Sequence, residues 1–120
     1  MLSPKAKQRG IHAIYLGDGL TIGLFAGTSE ESDRNYARQP VQFVDGDDPG
    51  TMTNANEVRF PPYAMDGSRD LTSWAIFDAD GDQVSMDPIH DARGMPVQRA
   101  PEMAERPVFA VGDLVVRYGD

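Results

Sequence analysis

The sequence predicts a mainly β protein: a single-domain antiparallel β-sandwich or jelly-roll-like barrel with a short N-terminal helix. Twelve glycines and nine prolines among 120 residues are typical of a chain built from strands and turns. From Leu20 onward, apolar and polar residues alternate with the period of two that marks half-buried strands. The length suits one domain with a modest core. We therefore expect a basic arm or helix at residues 1–19 and a β-sandwich domain at residues 20–120.

The helix is predicted near the N-terminus. Ser3 and Pro4 suit an N-cap followed by the first helical position. The apolar residues that follow would form one stripe: Ala6, Ile11, Ala13, Ile14 and Tyr15. Gly10 weakens such a helix by about 1 kcal/mol relative to alanine, so we expect it to be broken or to form only when packed.

Four strands are predicted outside the central hairpin. In the segment TIGLFAG, residues 21–27, the side chains of Ile22, Leu24 and Ala26 would point to one face and that of Phe25 to the other, which indicates a central strand. Pro40 cannot donate to a ladder, so the strand of residues 37–44 is expected at an edge or bulged. Residues 57–60 alternate cleanly and predict a half-exposed strand. Residues 108–118 contain the last strand.

Residues 71–86, LTSWAIFDADGDQVSM, predict a β-hairpin. Two alternating runs flank the segment 78–82, where aspartate and glycine tolerate the dihedral angles of a tight turn. In the second run, Val84 and Met86 are expected on one face. Trp74 is predicted to belong to the core rather than to stack on a sugar.

Three loops separate these strands, at residues 45–55, 63–70 and 87–107. The third has no clear periodicity, and such long loops tend to be functional or ordered by a partner. Arginine and methionine are enriched at interface cores. The sequence therefore leaves two interpretations of this loop open, a subunit contact and an ordinary surface loop. The predicted interface residues of this loop are Arg93, Met95, Arg99, Met103 and Arg106.

Charge is distributed unevenly along the chain. Eleven basic and nineteen acidic residues give a net charge of −8, which opposes binding to nucleic acid. Lys5, Lys7 and Arg9 all precede the first acid, Asp18. This basic arm is expected either to dock on an acidic neighbouring subunit or to form a solvated helix face. Arg38 is a further interface candidate, because it can anchor an acidic loop or contact a neighbouring subunit.

The sequence predicts no enzyme, no cofactor and no metal site. The absence of cysteine excludes disulfides and thiolate chemistry. His12 and His90 are not at metal-ligand spacing, and no serine has a G-x-S-x-G frame. No signal peptide or run of about 20 apolar residues is evident, so we expect synthesis in the cytoplasm and no membrane partner.

The acidic turn Asp78-Ala79-Asp80-Gly81-Asp82 also suggests calcium binding, because hard cations prefer several carboxylates. An EF-hand loop beginning at Asp78 requires glycine and a carboxylate where this chain has Gln83 and Ile89. A plain hairpin turn is the favoured interpretation. The similar acidic turn at residues 45–48 is interpreted in the same way.

Five segments occur in a distinctive order: TIGLFAG at 21–27, NYARQPVQF at 35–43, NEVRFP at 56–61, WAIFDADG at 74–81 and GDLVV at 112–116. This ordered set resembles a family of small β-rich virion proteins of tailed bacteriophages, over roughly residues 20–118. The family commonly has glycine where this chain has Ala75. The resemblance implies a non-enzymatic structural protein located in the virion.

The resemblance leaves the place in the particle open. The first hypothesis is a capsid decoration (cement) protein, a homotrimer that binds the major capsid protein and stabilises the assembled head. The alternative is a tail-tip, neck or fibre-associated module for host attachment. A third is a free binding or lectin-like domain.

Overall fold

A computed structural model of the chain describes residues 13–67, 69–89 and 100–117. In these residues ten β-strands pair in three antiparallel sheets, and only residues 13–15 are helical. The predicted class, a small mainly β, sandwich-like domain, is confirmed. The strands are β1 Thr21–Ala26, β2 Ser29–Glu30, β3 Gln39–Pro40, β4 Phe43–Asp45, β5 Thr51–Asn54, β6 Val58–Arg59, β7 Ser73–Phe77, β8 Gln83–Pro88, β9 Val108–Phe109 and β10 Val115–Arg117.

The largest sheet has five strands, in the order β2-β1-β7-β8 with β3 also paired to β1. β1 is central and buried from Ile22 to Phe25, as its two apolar faces predict. Pro40 lies in β3, which among the described strands pairs only with β1, so the predicted edge position is confirmed. The prediction of a single strand over residues 37–44 is wrong, because this segment contains two strands, β3 and β4, which lie in different sheets. Beyond Pro40, the Val41 N–H still donates to Leu20 O at 3.1 Å, and Val41 and Phe43 are then buried in the core.

The two smaller sheets are β10-β5-β4 and β6-β9. The half-exposed strand predicted at residues 57–60 is confirmed: Val58 and Phe60 are buried, and Arg59 is exposed. β5 lies inside the segment predicted as the first long loop. β2, likewise, lies in a polar stretch in which no strand is predicted.

The main core lies on one face of the five-stranded sheet and extends to the two smaller sheets. Trp74 is 4% exposed and belongs to this cluster, so the core prediction is confirmed and the side chain offers no contact surface. On the other face of the sheet, a second cluster contains Phe25, Ala75 and Phe77. The central sheet is therefore covered on both faces.

The predicted hairpin is confirmed as β7 and β8. Asp78 Oδ1 accepts the N–H groups of Asp80 and Asp82, at 3.0 and 2.9 Å, and Gly81 has a φ of 87°. This arrangement closes the turn. The register shifts within the pair, because Ile76 is opposite Ser85 whereas Phe77 is opposite Gln83.

The shift corrects the face assigned to β8. Val84 is the extra residue of a β-bulge and packs against the main core. Met86 is opposite Ala75, on the other face of the sheet. Val84 and Met86 therefore do not share a face.

The N-terminal segment is anchored by one aromatic side chain. Tyr15 is 1% exposed, its ring is 5.1 Å from that of Phe43, and its hydroxyl is hydrogen-bonded to Ser85. Ile14 and Leu16 are exposed, so the predicted apolar stripe holds in the described residues only at Tyr15. Lys5, Lys7 and Arg9 lie outside the described residues. Within the described residues, no helix is long and apolar enough to span a membrane.

Candidate interaction surface

The outer face of the central sheet is closed by a polar cluster over Phe77. The Arg38 guanidinium carbon lies 3.5 Å from the centre of the Phe77 ring. Two guanidinium nitrogens of Arg38 donate to the two carboxylate oxygens of Glu30, each at 2.9 Å. The Tyr36 hydroxyl donates to Glu30 at 2.7 Å and accepts the N–H of Leu24 at 3.0 Å. We call Glu30, Tyr36 and Arg38 the outer clamp.

Electrostatics stabilise the charged form of Glu30 in this clamp. The hydrogen bond from Arg38 lowers the pKa of Glu30, against a smaller opposing effect of burial and with help from the Tyr36 hydroxyl. Burial and the neighbouring Glu30 carboxylate raise the pKa of Tyr36. Arg38 remains charged, since its pKa is raised further by the hydrogen bonds to Glu30. The clamp is thus a cation–anion pair next to a neutral phenol at physiological pH.

Of the two roles predicted for Arg38, anchoring an acidic segment of its own chain is observed. The residue that it anchors, Glu30, has no sequence signal, because it stands in a polar stretch eight residues away. The Arg38 side chain is still 36% exposed, and its role as an interface residue stays a prediction.

Because of the outer clamp, we expect the free energy of unfolding to decrease at acid pH. Because the folded-state pKa of Glu30 is lowered, its stabilisation is present above the ordinary value of 4.5 and is lost as the pH falls through the lowered pKa. Glu30→Gln is expected to reduce the free energy of unfolding by about 1 kcal/mol at neutral pH, as for a partly exposed ion pair. The difference from wild type should shrink in acid. Urea titrations at a series of pH values from neutral into the acid range measure it.

The matched control for this prediction is Glu57→Gln. It removes the pair with Arg59, in which both side chains are more exposed than in the clamp. We expect a smaller loss at neutral pH for the control. An equal loss in the two variants, or a Glu30→Gln effect that is constant from neutral to acid pH, would contradict the role assigned to the clamp.

A second feature lies where three loops meet. Residues 63–67 run beside residues 101–105: Ala104 N–H donates to Tyr63 O at 2.9 Å, and Gly67 N–H donates to Pro101 O at 2.7 Å. The side chain of Asp66 accepts the Met103 N–H at 2.7 Å. The third loop, residues 31–36, contacts the first of these loops through Glu31 and Asp33, which accept hydrogen bonds from Tyr63 and Ala64. Backbone hydrogen bonds join the first two loops, and the carboxylates of Glu31 and Asp33 attach the third.

Between the loops of residues 31–36 and 63–67 is an open cleft of about 300 Å³. Its lining residues are Glu31, Ser32, Asp33, Arg34, Tyr63, Met65, Asp66 and Gly67. Glu31 accepts the Tyr63 hydroxyl at 2.6 Å, and Asp33 accepts the N–H of Ala64 at 3.0 Å. These carboxylates tie the two loops to each other. We call this the loop cleft.

The acids of the loop cleft act as structural anchors. Burial opposes the ionisation of Asp33, but the N–H groups of Ala64, Asn35 and Met65 outweigh it and lower the pKa of the carboxyl. Burial, with the Glu31 carboxylate second, raises the pKa of the Tyr63 hydroxyl. Glu31 and Asp33 therefore both accept hydrogen bonds from the neighbouring loop and order the walls of the cleft.

Two methionines stand beside the loop cleft. Met65 and Met103 lie on the two hydrogen-bonded loops, and each is 63% exposed. Met103 is predicted for an interface, and its exposure leaves it available for one. Arg106, also predicted, is exposed. The other predicted residues of this segment, Arg93, Met95 and Arg99, lie outside the described residues.

Met65 could not be predicted, because a lone methionine in a polar loop carries no periodic signal. Its place on a loop that is hydrogen-bonded to the loop of Met103 depends on contacts between segments about 40 residues apart, such as that of Asp66 with Met103. Methionine packs adaptably against different partners. The surface defined by Met65, Met103 and the loop cleft is therefore the best candidate for a protein contact in the described part of the chain.

The acidic hairpin turn brings three carboxylates close together. Asp78, Asp80 and Asp82 can each place one oxygen within 4.8 Å of the others. The Asp78 carboxylate is already used to close the turn. Exposed acidic groups of this kind are common without an ion, so the turn interpretation is kept. His12 and His90 lie outside the described residues.

The fold and its surface describe a small β-rich domain that presents ordered loops. The profile of the family described as "Podophage GP4 fiber I protein gp80" matches residues 13–86, which is more than half of the 120 residues. The chain therefore belongs to this family of podophage fibre proteins. No curated protein and no solved structure gives a significant match.

The family assignment confirms the class of phage virion structural protein. It also fits the fibre-associated alternative better than head decoration. A family of fibre proteins is a structural class, in agreement with the prediction that the chain is not an enzyme. The matched residues run from the helical residues 13–15 to β8, and so contain the outer clamp and the lining of the loop cleft.

Proposed function

We propose that this protein is a structural subunit of the podophage tail-fibre apparatus and contributes to host attachment by joining or extending the fibre. The observation that carries the proposal is the family match over residues 13–86. That range includes nearly all of the five-stranded sheet, so the likeness extends over a folded unit rather than a single motif.

The loop cleft with Met65 and Met103 is the proposed contact with another virion protein. Its loops are held by hydrogen bonds before binding, so a partner orders little additional chain. The exposed methionines supply apolar contact area at the side of a polar cleft, and interfaces combine an apolar centre with a polar rim in this way.

Two sequence predictions remain part of the proposal. The basic arm with Lys5, Lys7 and Arg9 would contact an acidic neighbour in the particle. Further predicted contact residues are Arg38, Arg93, Met95, Arg99 and Arg106. The homotrimer is the assembly predicted for a head decoration protein. Binding to the major capsid protein likewise belongs to the decoration hypothesis. The phenotype of a phage that lacks the protein distinguishes this hypothesis from the fibre proposal.

The test is a phage that carries a nonsense codon in this reading frame, grown with or without a plasmid copy of the protein. We expect particles made without the protein to have filled heads and to adsorb to the host more slowly. The double variant Met65→Asp/Met103→Asp should fail to enter particles, because two carboxylates replace the apolar contact. Incorporation is measured by immunoblot of purified particles.

The matched control is Met86→Asp, which changes another exposed methionine on β8, away from the loop cleft. It is expected to be incorporated like wild type. Normal adsorption together with heads that lose DNA on mild heating would overturn the fibre proposal and support head decoration. Equal incorporation of the double variant and the control would overturn the assignment of the contact surface.

A further inference from the structure

Strand β10 has one paired side and one unpaired side in the described part of the chain. On its paired side, Leu114 O accepts the Asn54 N–H at 3.3 Å and Leu114 N–H donates to the Asn54 side chain at 2.9 Å. Because backbone groups point alternately to the two sides of a strand, the N–H and C=O of Val115 and Arg117 point away from β5. β10 thus presents a hydrogen-bonding edge.

This edge is also apolar and exposed. Val115 is 42% exposed, and Val111, on the turn that precedes the strand, is 63% exposed. Exposed edges with β-branched residues are templates for pairing with another chain unless charge or proline blunts them. Between Leu114 and Arg117 this edge contains no proline, and its one charged side chain is Arg117 at the end of the strand.

Two other edges in the described residues are protected. β8 ends in Asp87 and Pro88, and proline lacks the N–H that a new ladder requires. β4 ends in Asp45, and Asp47 and Asp48 follow it, so two copies of that edge would bring like charges together. Of the three edges formed by β4, β8 and β10, that of β10 is the one that neither proline nor clustered acids protect.

We infer that β10 pairs antiparallel with β10 of a second copy of this chain, about a two-fold axis at Val115. In that register each Val115 exchanges two N–H···O=C bonds with its symmetry mate, and Arg117 stands opposite Asp113 of the second copy. Arg117 is exposed, and Asp113 is half-buried with its Oδ2 accepting the Ala110 N–H at 2.9 Å. The pairing is self-complementary in hydrogen bonds, apolar contact and charge.

The inferred interface is independent of the proposed fibre function. β10 lies outside residues 13–86, and its geometry would be the same in a domain of any other role. The sheet β10-β5-β4 would become one six-stranded sheet across two subunits. If β10 does not pair, the fibre proposal is unaffected. If the fibre proposal fails, the inferred pairing of β10 is likewise unaffected.

The test is sedimentation velocity of the full chain over a wide concentration range. Val115→Pro removes the outward N–H but no bond to β5, so it is expected to raise the dimer dissociation constant about thirtyfold through two lost hydrogen bonds. Arg117→Glu should also weaken the dimer, since it places a carboxylate opposite Asp113. Circular dichroism checks the fold of each variant.

Val115→Lys is the second variant if the proline substitution prevents folding, because it keeps the backbone and sets like charges opposite each other. Val44→Lys is the control: Val44 is 47% exposed on the same face of the same sheet but on the opposite edge strand. It should leave the dimer unchanged. A monomer at every concentration, or a dimer equally weakened by Val44→Lys and Val115→Lys, would overturn the inference.

Discussion

Asn54→Asp should lower the free energy of unfolding by about 3 kcal/mol or more, a large loss for a single substitution. Asn54 has no exposed surface. Its amide nitrogen donates to Asn56 O at 2.8 Å and to Ala110 O at 3.0 Å. Its amide oxygen accepts the N–H of Gly112 at 3.1 Å and of Leu114 at 2.9 Å. One side chain thereby joins β5 to the turn before β10.

An aspartate at this position has the same shape but cannot donate. The oxygen that replaces the amide nitrogen would face two carbonyl oxygens, and a buried charge would be added without a cation. Chemical denaturation followed by fluorescence of Trp74 measures the loss. The control is Asn35→Asp, at an exposed residue with one bond from its amide to Pro62 O, for which we expect a loss below about 1 kcal/mol. Equal losses in both variants would refute the bridging role of Asn54.

Gly23→Ala is expected to cost about 2 kcal/mol through overpacking under the outer clamp. A Cβ at this position would lie 2.7 Å from the Tyr36 hydroxyl oxygen, 2.8 Å from a Glu30 carboxylate oxygen and 3.1 Å from the Phe77 ring. All three groups are held by their own contacts, so the added methyl must displace the clamp from the sheet. Thermal and urea denaturation measure the cost.

The control is Gly81→Ala in the hairpin turn. Gly81 has a φ of +87° and nothing within 4 Å of an added Cβ, so its substitution should cost only the backbone strain of about 1 kcal/mol. Combining Gly23→Ala with Tyr36→Phe should give a cost smaller than the sum of the two single changes, because the nearest clashing atom is removed. Additive costs, or a Gly23→Ala effect no larger than that of Gly81→Ala, would show that the close packing is absent.

Locally encoded elements could be predicted from the sequence. The hairpin is specified by alternation and by the Asp-rich turn, and the central strand by apolar residues on both faces. β5 could not be predicted, because Thr-Met-Thr-Asn lacks apolar alternation. The burial of Asn54 is made possible by partners at residues 110–114, far away in the sequence. The bulge at Val84 could not be predicted from the sequence either, because it depends on the register in which β8 pairs with β7.

The candidate surface was predicted only in part. Arg38 and Met103 are identifiable by residue type, but the fold brings Glu30 to Arg38 and the loop of Met65 and Asp66 to Met103. The ordered set of strand segments was enough to predict a phage virion protein. It did not separate head from fibre, because decoration and fibre proteins share the same strand-and-turn patterns, whereas the family match favours the fibre.

Immunogold electron microscopy of purified particles tests the fibre assignment most directly. An antibody against the protein is applied to intact virions, with particles from the nonsense mutant as the control for specificity. We expect gold on the tail fibres and none above background on the heads. Gold distributed over the heads, with fibres unlabelled, would contradict the fibre assignment and place the protein on the capsid.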